Sequence, residues 1–265
     1  MEFFATAGNI PVHIIDSGKG DKCILLLHGY LETMSIYDEL YNVLTKEYRV
    51  IMMDLPGHGL SCSAPVNTMD FCATAAKGVM DYCGVEKAFI TGHSLGGYIA
   101  LAFCKLFPQM AEGLILLNSS PYPDDPGLSE SREREINVIE GGKLIPLAAA
   151  SIPKMYSSSN LRRLDEKIRQ TIELCEAHDP EGICASIKGM AQRPDSSEFI
   201  KGGSVPVMAI LGDADTLIPA EMIERMKKEF PDIQLFVIPN TAHNSFIEDQ
   251  EKVVQLIDEF TKESC

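Results

Sequence analysis

The sequence predicts an α/β fold in which a mostly parallel, doubly wound sheet carries helices on both faces. Short runs of apolar, often β-branched residues alternate along the 265-residue chain with longer segments whose apolar residues recur at helical spacing. Most of the short runs are apolar throughout, as strands are when both faces of a parallel sheet are covered. Strands that alternate with helices imply right-handed crossover connections.

Eight runs have the length and composition of strands. The first two flank Ala7-Gly8-Asn9, a hairpin signal, and the other six are nearly all apolar. In chain order, the predicted strands are Phe3–Thr6, Ile10–Asp16, Cys23–Leu27, Tyr48–Met53, Ala88–Thr91, Gly113–Leu117, Val205–Leu211 and Leu235–Ile238. Amphipathic helices are predicted between them, at Ser35–Lys46, Asp70–Tyr82, Leu95–Phe107, Ala220–Phe230 and Gln250–Lys262.

One long interval, between Asn118 and Ser204, contains no convincing strand. Helical spacing is present at Asn160–Ala177 and Glu181–Met190, and a stretch of this length is too long for a bare loop. We therefore predict that residues 119–203 form a helical cap, inserted between two parts of one core. Those parts are residues 1–118 and 204–265. The alternative is a helical insertion that only supports the fold.

Composition and charge narrow the classes of function. The chain carries 38 acidic and 23 basic residues, and its net charge of -15 repels phosphate backbones and anionic lipid. Nucleic-acid and membrane partners are therefore not expected. The opening residues lack the basic and apolar regions of an export signal, and the eight cysteines include no C-x-x-C pair. We expect unpaired, reduced cysteines, a cytoplasmic location, and neither a metal nor a cofactor.

The segment Gly92-His93-Ser94-Leu95-Gly96-Gly97 lies between a predicted strand and a predicted helix. A G-x-S-x-G pattern occurs by chance, but in this context it indicates a serine on a sharp strand-to-helix turn. Side chains at positions 92 and 96 would collide with the neighbouring strand and helix, so glycine is needed there. The turn directs the Ser94 hydroxyl away from the sheet edge and puts the Leu95 amide at a helix N-terminus. The alternative is a glycine-rich turn with a capping serine.

A serine hydroxyl becomes a nucleophile when a base takes its proton, and that base needs an orienting carboxylate. His243 follows the last predicted strand and is the candidate base; a surface histidine is the alternative. Asp213 and Asp215 both follow the strand before it, at the same sheet edge as Ser94. We favour Asp215, because Asp213 directly follows the strand end and suits hydrogen bonds to the amides of its own turn.

Hydrolysis also requires two hydrogen-bond donors for the oxyanion. The backbone N–H of Leu95 is one candidate. The other should come from the loop after the third strand, His28-Gly29-Tyr30-Leu31, where the N–H of Tyr30 would face the pocket. We expect His28 to support this loop through its ring nitrogens rather than act as a second base.

Taken together, these motifs resemble the α/β-hydrolase superfamily, and the resemblance covers nearly the whole chain outside the insertion. It rests on His28-Gly29, Asp54-Leu55-Pro56-Gly57-His58-Gly59-Leu60-Ser61, the Gly92–Gly97 segment, Asp215 and His243. The resemblance implies an α/β-hydrolase fold with an eight-stranded, mostly parallel sheet and a helical cap inserted after strand 6. It also implies that the 54–61 turn is structural, so Asp54 and His58 are not expected to take part in catalysis.

The resemblance further implies a serine hydrolase that cleaves a small or medium carboxylic ester through a Ser94–His243–Asp215 triad and an acyl-enzyme intermediate. Serine at position 94 argues against dehalogenases and epoxide hydrolases of this fold, which use aspartate there. Leu95 argues against proline iminopeptidases, which usually have tryptophan. The alternatives are a carbon–carbon bond hydrolase, a lyase, a perhydrolase or a non-catalytic ligand-binding protein. Under all of these hypotheses the expected partner is a small molecule. For the hydrolase it is an ester or acyl compound.

Overall fold

The computed structural model describes residues 1–263, which form one eight-stranded sheet with helices around it. The strands are β1 (Glu2–Ala7), β2 (Ile10–Asp16), β3 (Cys23–Leu27), β4 (Arg49–Met53), β5 (Ala88–His93), β6 (Ala111–Leu117), β7 (Val207–Gly212) and β8 (Gln234–Ile238). Their spatial order is β1-β2-β4-β3-β5-β6-β7-β8. Strand β2 is antiparallel to both of its neighbours, and all other neighbouring strands are parallel. The predicted fold class is confirmed.

Eleven α-helices are present in residues 1–263. They are α1 (Asp38–Leu44), α2 (Met69–Tyr82), α3 (Leu95–Leu106), α4 (Pro126–Glu140), α5 (Leu144–Ser151), α6 (Asp165–Leu174), α7 (Pro180–Ala191), α8 (Ser197–Lys201), α9 (Ala220–Glu229), α10 (Ser245–Glu248) and α11 (Gln250–Glu263). Within this part of the chain, no helix is long and apolar enough to cross a membrane.

The two faces of the sheet are covered by separate apolar clusters. On β3, Leu25 and Leu27 point into the cluster that contains α2 and α3, while Ile24 and Leu26 point into the cluster that contains α1 and α11. Because both faces are covered, β3 consists entirely of buried apolar residues. This explains why the central strands have no alternating pattern in the sequence.

Strand β8 differs from the prediction in its burial. The sequence pattern predicts a strand buried on both faces at Leu235–Ile238. In the structure β8 is an edge strand, and four of its five residues are half-buried. An edge strand has a neighbour on one side only, so its apolar side chains are less completely covered. The bounds of all eight strands otherwise agree with the prediction to within two residues.

Between β6 and β7 the chain forms the helices α4 to α8 and no strand. Two of these helices, α6 and α7, correspond to the predicted segments, whereas α4, α5 and α8 were not predicted. Helix α7 packs on the segment that precedes α2: the N–H of Asn67 donates to the carbonyl of Ala185 over 3.0 Å. Its side-chain amide donates to Ser186 Oγ over 2.9 Å. The inserted helices are therefore joined to the sheet domain by buried polar contacts.

The seven cysteines among residues 1–263 are free thiols, and most are buried. The eighth, Cys265, lies outside the described residues. Burial raises the pKa of the Cys23 thiol to about 12 and that of the Cys83 thiol to about 11. These two thiols are therefore protonated at neutral pH and behave as small apolar or weakly polar groups.

The first turn of α3 lies very close to the ends of two strands. A Cβ atom on Gly96 would overlap the carbonyl oxygen of Leu27, and one on Gly92 would overlap the carbonyl oxygen of Gly96. A Cβ atom on Gly97 would overlap the side chain of Ser119. Glycine at these positions therefore lets the N-terminus of α3 approach the carboxyl end of β3 at backbone contact distance.

Replacement of Gly96 by alanine is expected to lower the free energy of unfolding by about 1–3 kcal/mol, because the backbone at Leu27 must move to admit the methyl group. The matched control is Gly127→Ala in α4, where the nearest atom, Asp125 Oδ1, would lie 3.3 Å from the added carbon. This control should change the free energy by less than about 1 kcal/mol. Urea unfolding of both variants measures the difference, and equal effects would contradict the close approach.

Candidate active site

Ser94 occupies the turn between β5 and α3 with a backbone conformation that is rare for a residue with a side chain. Its φ is 50° and its ψ is -114°. Hydrogen bonds hold it on both sides: its N–H donates to the carbonyl of Leu117 over 3.0 Å, and its carbonyl accepts from Ser119 Oγ over 2.9 Å. Strained residues of this kind persist where the surroundings fix them, and they are common at functional sites.

The side chains of Asp215 and His243 are in direct contact, although they come from different loops. His243 Nδ1 lies 2.8 Å from Asp215 Oδ2, and both residues are buried. The other carboxylate oxygen accepts from the N–H groups of Leu217 and Ile218, over 2.8 and 3.1 Å. Asn118 Nδ2 donates to Oδ2 over 2.9 Å. Four donors therefore fix the orientation of the Asp215 carboxylate.

This contact shifts the pKa values of both groups. Burial alone would lower the pKa of His243, but the charge and hydrogen bond of Asp215 outweigh it and raise that pKa above its ordinary value. Burial alone would raise the pKa of Asp215, and the His243 ring, Asn118 and the Leu217 N–H together lower it. The pair therefore favours an ionised carboxylate whose hydrogen bond holds the proton on Nδ1.

The second ring nitrogen of His243 is available for proton transfer. Nε2 is buried and has no hydrogen-bond partner among residues 1–263. Ser94 is not hydrogen-bonded to it in this structure, and such bonds are often long before a substrate is bound. The Ser94 turn is nevertheless adjacent to residues 240–244, called the histidine loop below, since His93 Nε2 lies 3.0 Å from the carbonyl oxygen of His243.

The loop after β3 carries the predicted second oxyanion donor. The N–H of Gly29 donates to Glu32 Oε2 over 2.7 Å, whereas the N–H of Tyr30 has no acceptor among residues 1–263. Leu95, the other predicted donor, is the first residue of α3. The ring of His28 bonds within the core, with Nδ1 2.8 Å from the Gly29 carbonyl oxygen and Nε2 accepting the Leu55 N–H over 2.9 Å.

The turn at residues 54–61 makes structural contacts. Asp54 accepts the N–H groups of Met34 and Leu60, over 2.9 and 3.0 Å, and also bonds to the ring of His13. His58 is buried against the ring of His28, and burial lowers the pKa of His58 well below its ordinary value. Neither Asp54 nor His58 contacts the Asp215–His243 pair.

One expectation about the second aspartate was wrong. Asp213 was expected to accept hydrogen bonds from the amides of its own turn. In the structure Asp213 is exposed, and Asp215 accepts those amides in addition to the histidine. The physical reason is that the turn folds inward at Asp215, which is 4% exposed.

Two further residues of the site were missed by the sequence analysis. Asn118 joins Asp215 to the histidine loop, since its amide also donates to the Ala242 carbonyl over 2.9 Å. Glu248 accepts the Ala242 N–H on one oxygen and the Ser157 N–H, over 2.7 Å, on the other. A polar residue directly after an apolar strand was the available signal for Asn118, and no local signal marks Glu248.

Two buried arginines from the inserted segment lie near the site. Arg132 and Arg193 both bond to the side chain of Asp124, so the three groups carry a net positive charge. The Arg193 guanidinium lies 3.9 Å from the centre of the Tyr98 ring, one helical turn after Ser94. Burial and the charge of Glu135 raise the pKa of the Tyr30 phenol, and the charge of Arg132 opposes that shift.

A cleft of about 430 Å³ opens between α6 and residues 33–38. Its lining includes Lys167, Asp38 and Thr171 but none of Ser94, Asp215 and His243. Its mouth is therefore separate from the histidine pair, and the cleft is not the centre of the site described above.

The sequence is similar to a known family and to several known proteins. Residues 22–250 match the family model described as alpha/beta hydrolase fold. A 2-hydroxy-6-oxononadienedioate/2-hydroxy-6-oxononatrienedioate hydrolase of Pseudomonas sp is 25% identical over 264 residues, which cover 94% of this chain and 91% of that protein. A pimeloyl-[acyl-carrier protein] methyl ester esterase of Yersinia enterocolitica is 23% identical, covering 93% of this chain and 96% of that protein.

Solved structures give the same result. A thermophilic esterase from Thermogutta terrifontis, in a malate-bound structure, is 31% identical with a TM-score of 0.92, covering 100% of this chain and 99% of that chain. The enol-lactonase from Burkholderia xenovorans has a TM-score of 0.89 at 19% identity, covering 98% and 100% of the two chains, and supports the fold alone. The chain therefore belongs to the alpha/beta hydrolase fold family, whose relatives include esterases and carbon–carbon bond hydrolases.

Proposed function

We propose that this protein is a serine hydrolase that cleaves a small or medium carboxylic ester, with Ser94 as nucleophile, His243 as base and Asp215 as the orienting carboxylate. The observation that carries the proposal is the buried Asp215–His243 contact, at 2.8 Å, which leaves Nε2 free beside the Ser94 turn. A histidine with one nitrogen fixed by a carboxylate and the other free suits proton transfer. The strained Ser94 turn supplies a hydroxyl within the same group of loops.

In the first half of the reaction, Ser94 Oγ attacks the acyl carbon of the ester and its proton passes to His243 Nε2. Asp215 holds the proton on Nδ1 and stabilises the imidazolium that forms. The tetrahedral intermediate then collapses to an acyl-enzyme, and the proton on Nε2 passes to the departing alcohol. For a small or medium ester, this half of the reaction uses only the substrate and the three side chains.

In the second half of the reaction, His243 takes a proton from a water molecule that attacks the acyl carbon. A second tetrahedral intermediate forms, and its collapse releases the carboxylic acid while the proton on Nε2 returns to Ser94 Oγ. The enzyme is thus restored, and the sum of the two halves is ester plus water to acid plus alcohol.

The N–H groups of Tyr30 and Leu95 are the proposed oxyanion donors. Tyr30 is supported by the engagement of the Gly29 N–H with Glu32, which leaves the Tyr30 N–H as the next donor of the loop without an acceptor among residues 1–263. Leu95 is supported by its place at the first position of α3, where the helix dipole favours negative charge. Each donor is worth roughly 10²–10³ in rate for sites of this kind.

Residues 119–203 are proposed to act as a cap over the site, with residues 1–118 and 204–265 as the core. Support comes from contacts between this segment and the histidine loop. The N–H of Asn244 donates to the carbonyl of Met155 over 3.0 Å, and Glu248 accepts from Ser157 and Asn160. A displacement of the cap would therefore act directly on the residues beside His243.

A carbon–carbon bond hydrolase acting on a carboxylate-bearing substrate is the second candidate. The observation that favours it is the pair of buried arginines, Arg132 and Arg193, which both bond to the carboxylate of Asp124, while the half-buried Glu135 also interacts with Arg132. The relatives named as dienedioate hydrolases and the malate in the Thermogutta terrifontis esterase agree with a site that accepts a carboxylate. The same nucleophile and base would serve this reaction.

Replacement of Ser94 by alanine is expected to reduce kcat on p-nitrophenyl esters, from acetate to decanoate, on the order of 10⁴-fold or more. The activity falls because the attacking oxygen is lost. The thermal midpoint of unfolding should stay close to that of the wild type. Ser158→Ala, in an exposed position of the inserted segment, is the matched control and should keep full activity. Retained turnover in the Ser94 variant would refute the assignment.

The pH dependence of kcat/KM should report His243, which must be neutral to take a proton. Because Asp215 raises the pKa of His243, the loss of activity on the acid side should have its midpoint above 6.5. In Asp215→Asn this midpoint should move to lower pH, because burial then acts without the opposing charge, and kcat should also fall. An unchanged midpoint in that variant would contradict the role of Asp215.

The carboxylate contact invoked for the second candidate is tested with Arg132→Gln. If a substrate carboxylate is bound there, kcat/KM for the monomethyl ester of a dicarboxylic acid should fall about 10–100-fold, as the loss of a charged hydrogen bond predicts. The neutral dimethyl ester should change little. Arg134→Gln, on the exposed side of the same helix, is the control. Equal losses on both esters would rule out a carboxylate contact at Arg132.

A further inference from the structure

Glu32 and His93 form a buried pair that lies between two loops of the site. Their side chains are each about 1% exposed, and His93 Nδ1 lies 2.9 Å from Glu32 Oε2. The same carboxylate oxygen accepts the Gly29 N–H over 2.7 Å, and His93 Nε2 lies 3.0 Å from the carbonyl oxygen of His243. A single side-chain pair therefore links residues 28–31, called the oxyanion loop below, to the histidine loop.

Both ring nitrogens of His93 face oxygen atoms, Glu32 Oε2 on one side and the His243 carbonyl oxygen on the other. Burial alone would raise the pKa of the Glu32 carboxyl, but the His93 ring, the His28 ring and the Gly29 N–H lower it below its ordinary value. The surroundings of Glu32 therefore favour an ionised carboxylate, which accepts hydrogen bonds from the His93 ring and from the Gly29 N–H.

We propose that Glu32 and His93 are positioning residues that hold the oxyanion loop and the His243 loop at a fixed separation. The proposal rests on the proposed function, because it assigns these residues to the geometry of that reaction. Neither side chain contacts the reacting atoms. They act through the backbone of Gly29, which precedes Tyr30, and through the backbone of His243.

The backbone of the oxyanion loop rests directly on this pair. A Cβ atom on Gly29 would lie 2.7 Å from both Glu32 Oε2 and His93 Nδ1, which is closer than real carbon atoms approach. The loop therefore takes its position from the pair and has no room to shift towards it. A displacement of about 1 Å at a site of this kind can cost roughly 10² in rate.

A second buried pair, between β2 and the 54–61 turn, provides a comparison. His13 Nδ1 lies 2.9 Å from Asp54 Oδ2, the same separation as in the Glu32–His93 pair. His13 lies on β2 and has no contact with the oxyanion loop or with His243. A merely structural role would make the two pairs equivalent in their effect on catalysis, whereas a positioning role would not.

The experiment compares Glu32→Gln, Gly29→Ala and the control His13→Gln on a p-nitrophenyl ester. Glutamine has the shape of glutamate and keeps one acceptor, but it removes the charge. We expect kcat to fall roughly 10²-fold in Glu32→Gln and in Gly29→Ala, while KM changes by less than about threefold. His13→Gln should keep kcat within about twofold of the wild type, even if its thermal midpoint falls.

The split between kcat and KM decides the proposal. If kcat stays within about twofold in Glu32→Gln while its thermal midpoint falls as in His13→Gln, the pair is structural and the proposal is overturned. If the single variants do not fold, the double variant Glu32→Gln/His93→Gln, which keeps a neutral hydrogen bond and removes the carboxylate charge, replaces them with the same two outcomes.

A measurement on the wild type separates failure of this proposal from failure of the proposed function. Should the wild type hydrolyse no ester, imidazole ¹⁵N NMR still tests the pair. Two protonated nitrogens on His93 would support the linked loops, because each is then a donor to one of the two loops. A His93 ring with one protonated nitrogen would overturn the pair, whatever the substrate proves to be.

Discussion

The rest of the site depends on the close approach of α3 to the carboxyl end of β3. At Gly96 the helix backbone meets the carbonyl of Leu27 with no space for a methyl group. This contact forces the chain to turn within one residue, and that residue is Ser94, whose positive φ follows from the turn. The same contact brings the start of α3 over the loop that contains Tyr30. A wider separation would relax Ser94 and move the Leu95 and Tyr30 amides apart.

Around this packed turn, the loops are held together by buried carboxylates. Asp215 binds the His243 ring, Glu32 binds the Gly29 backbone and the His93 ring, and Glu248 binds the backbone of Ala242. A buried charge is costly unless several donors compensate it, so each carboxylate fixes its donors in one arrangement. Apolar packing tolerates small displacements of a loop, whereas these directional bonds do not. Polar contacts therefore account for the precision of the site, and apolar packing for the stability of the sheet.

Local patterns made much of this molecule predictable. The strands and the residues Ser94, Asp215 and His243 could be located from sequence because each follows an apolar run and parallel strands end at one edge. The roles of these residues remain predictions. Helix α4 was not predicted, because only Arg132 and Ile139 are buried on it and its sequence therefore has little apolar periodicity. The role of Glu32 was not predicted, because its partner His93 is 61 residues away in the chain and no pattern of neighbouring residues indicates such a contact.

The same reasoning explains why the reaction is harder to derive than the fold. Ester and carbon–carbon bond cleavage can use the same nucleophile, base and oxyanion donors, so the residues around Ser94 do not separate them. The two classes of substrate differ in the charge of the part that lies at a distance from the reacting carbon. In this molecule that region contains two buried guanidinium groups, the buried carboxylate of Asp124 and the half-buried carboxylate of Glu135. These charges come from the inserted segment, residues 119–203, rather than from the serine turn, so the proposed choice between the two reactions rests on that segment.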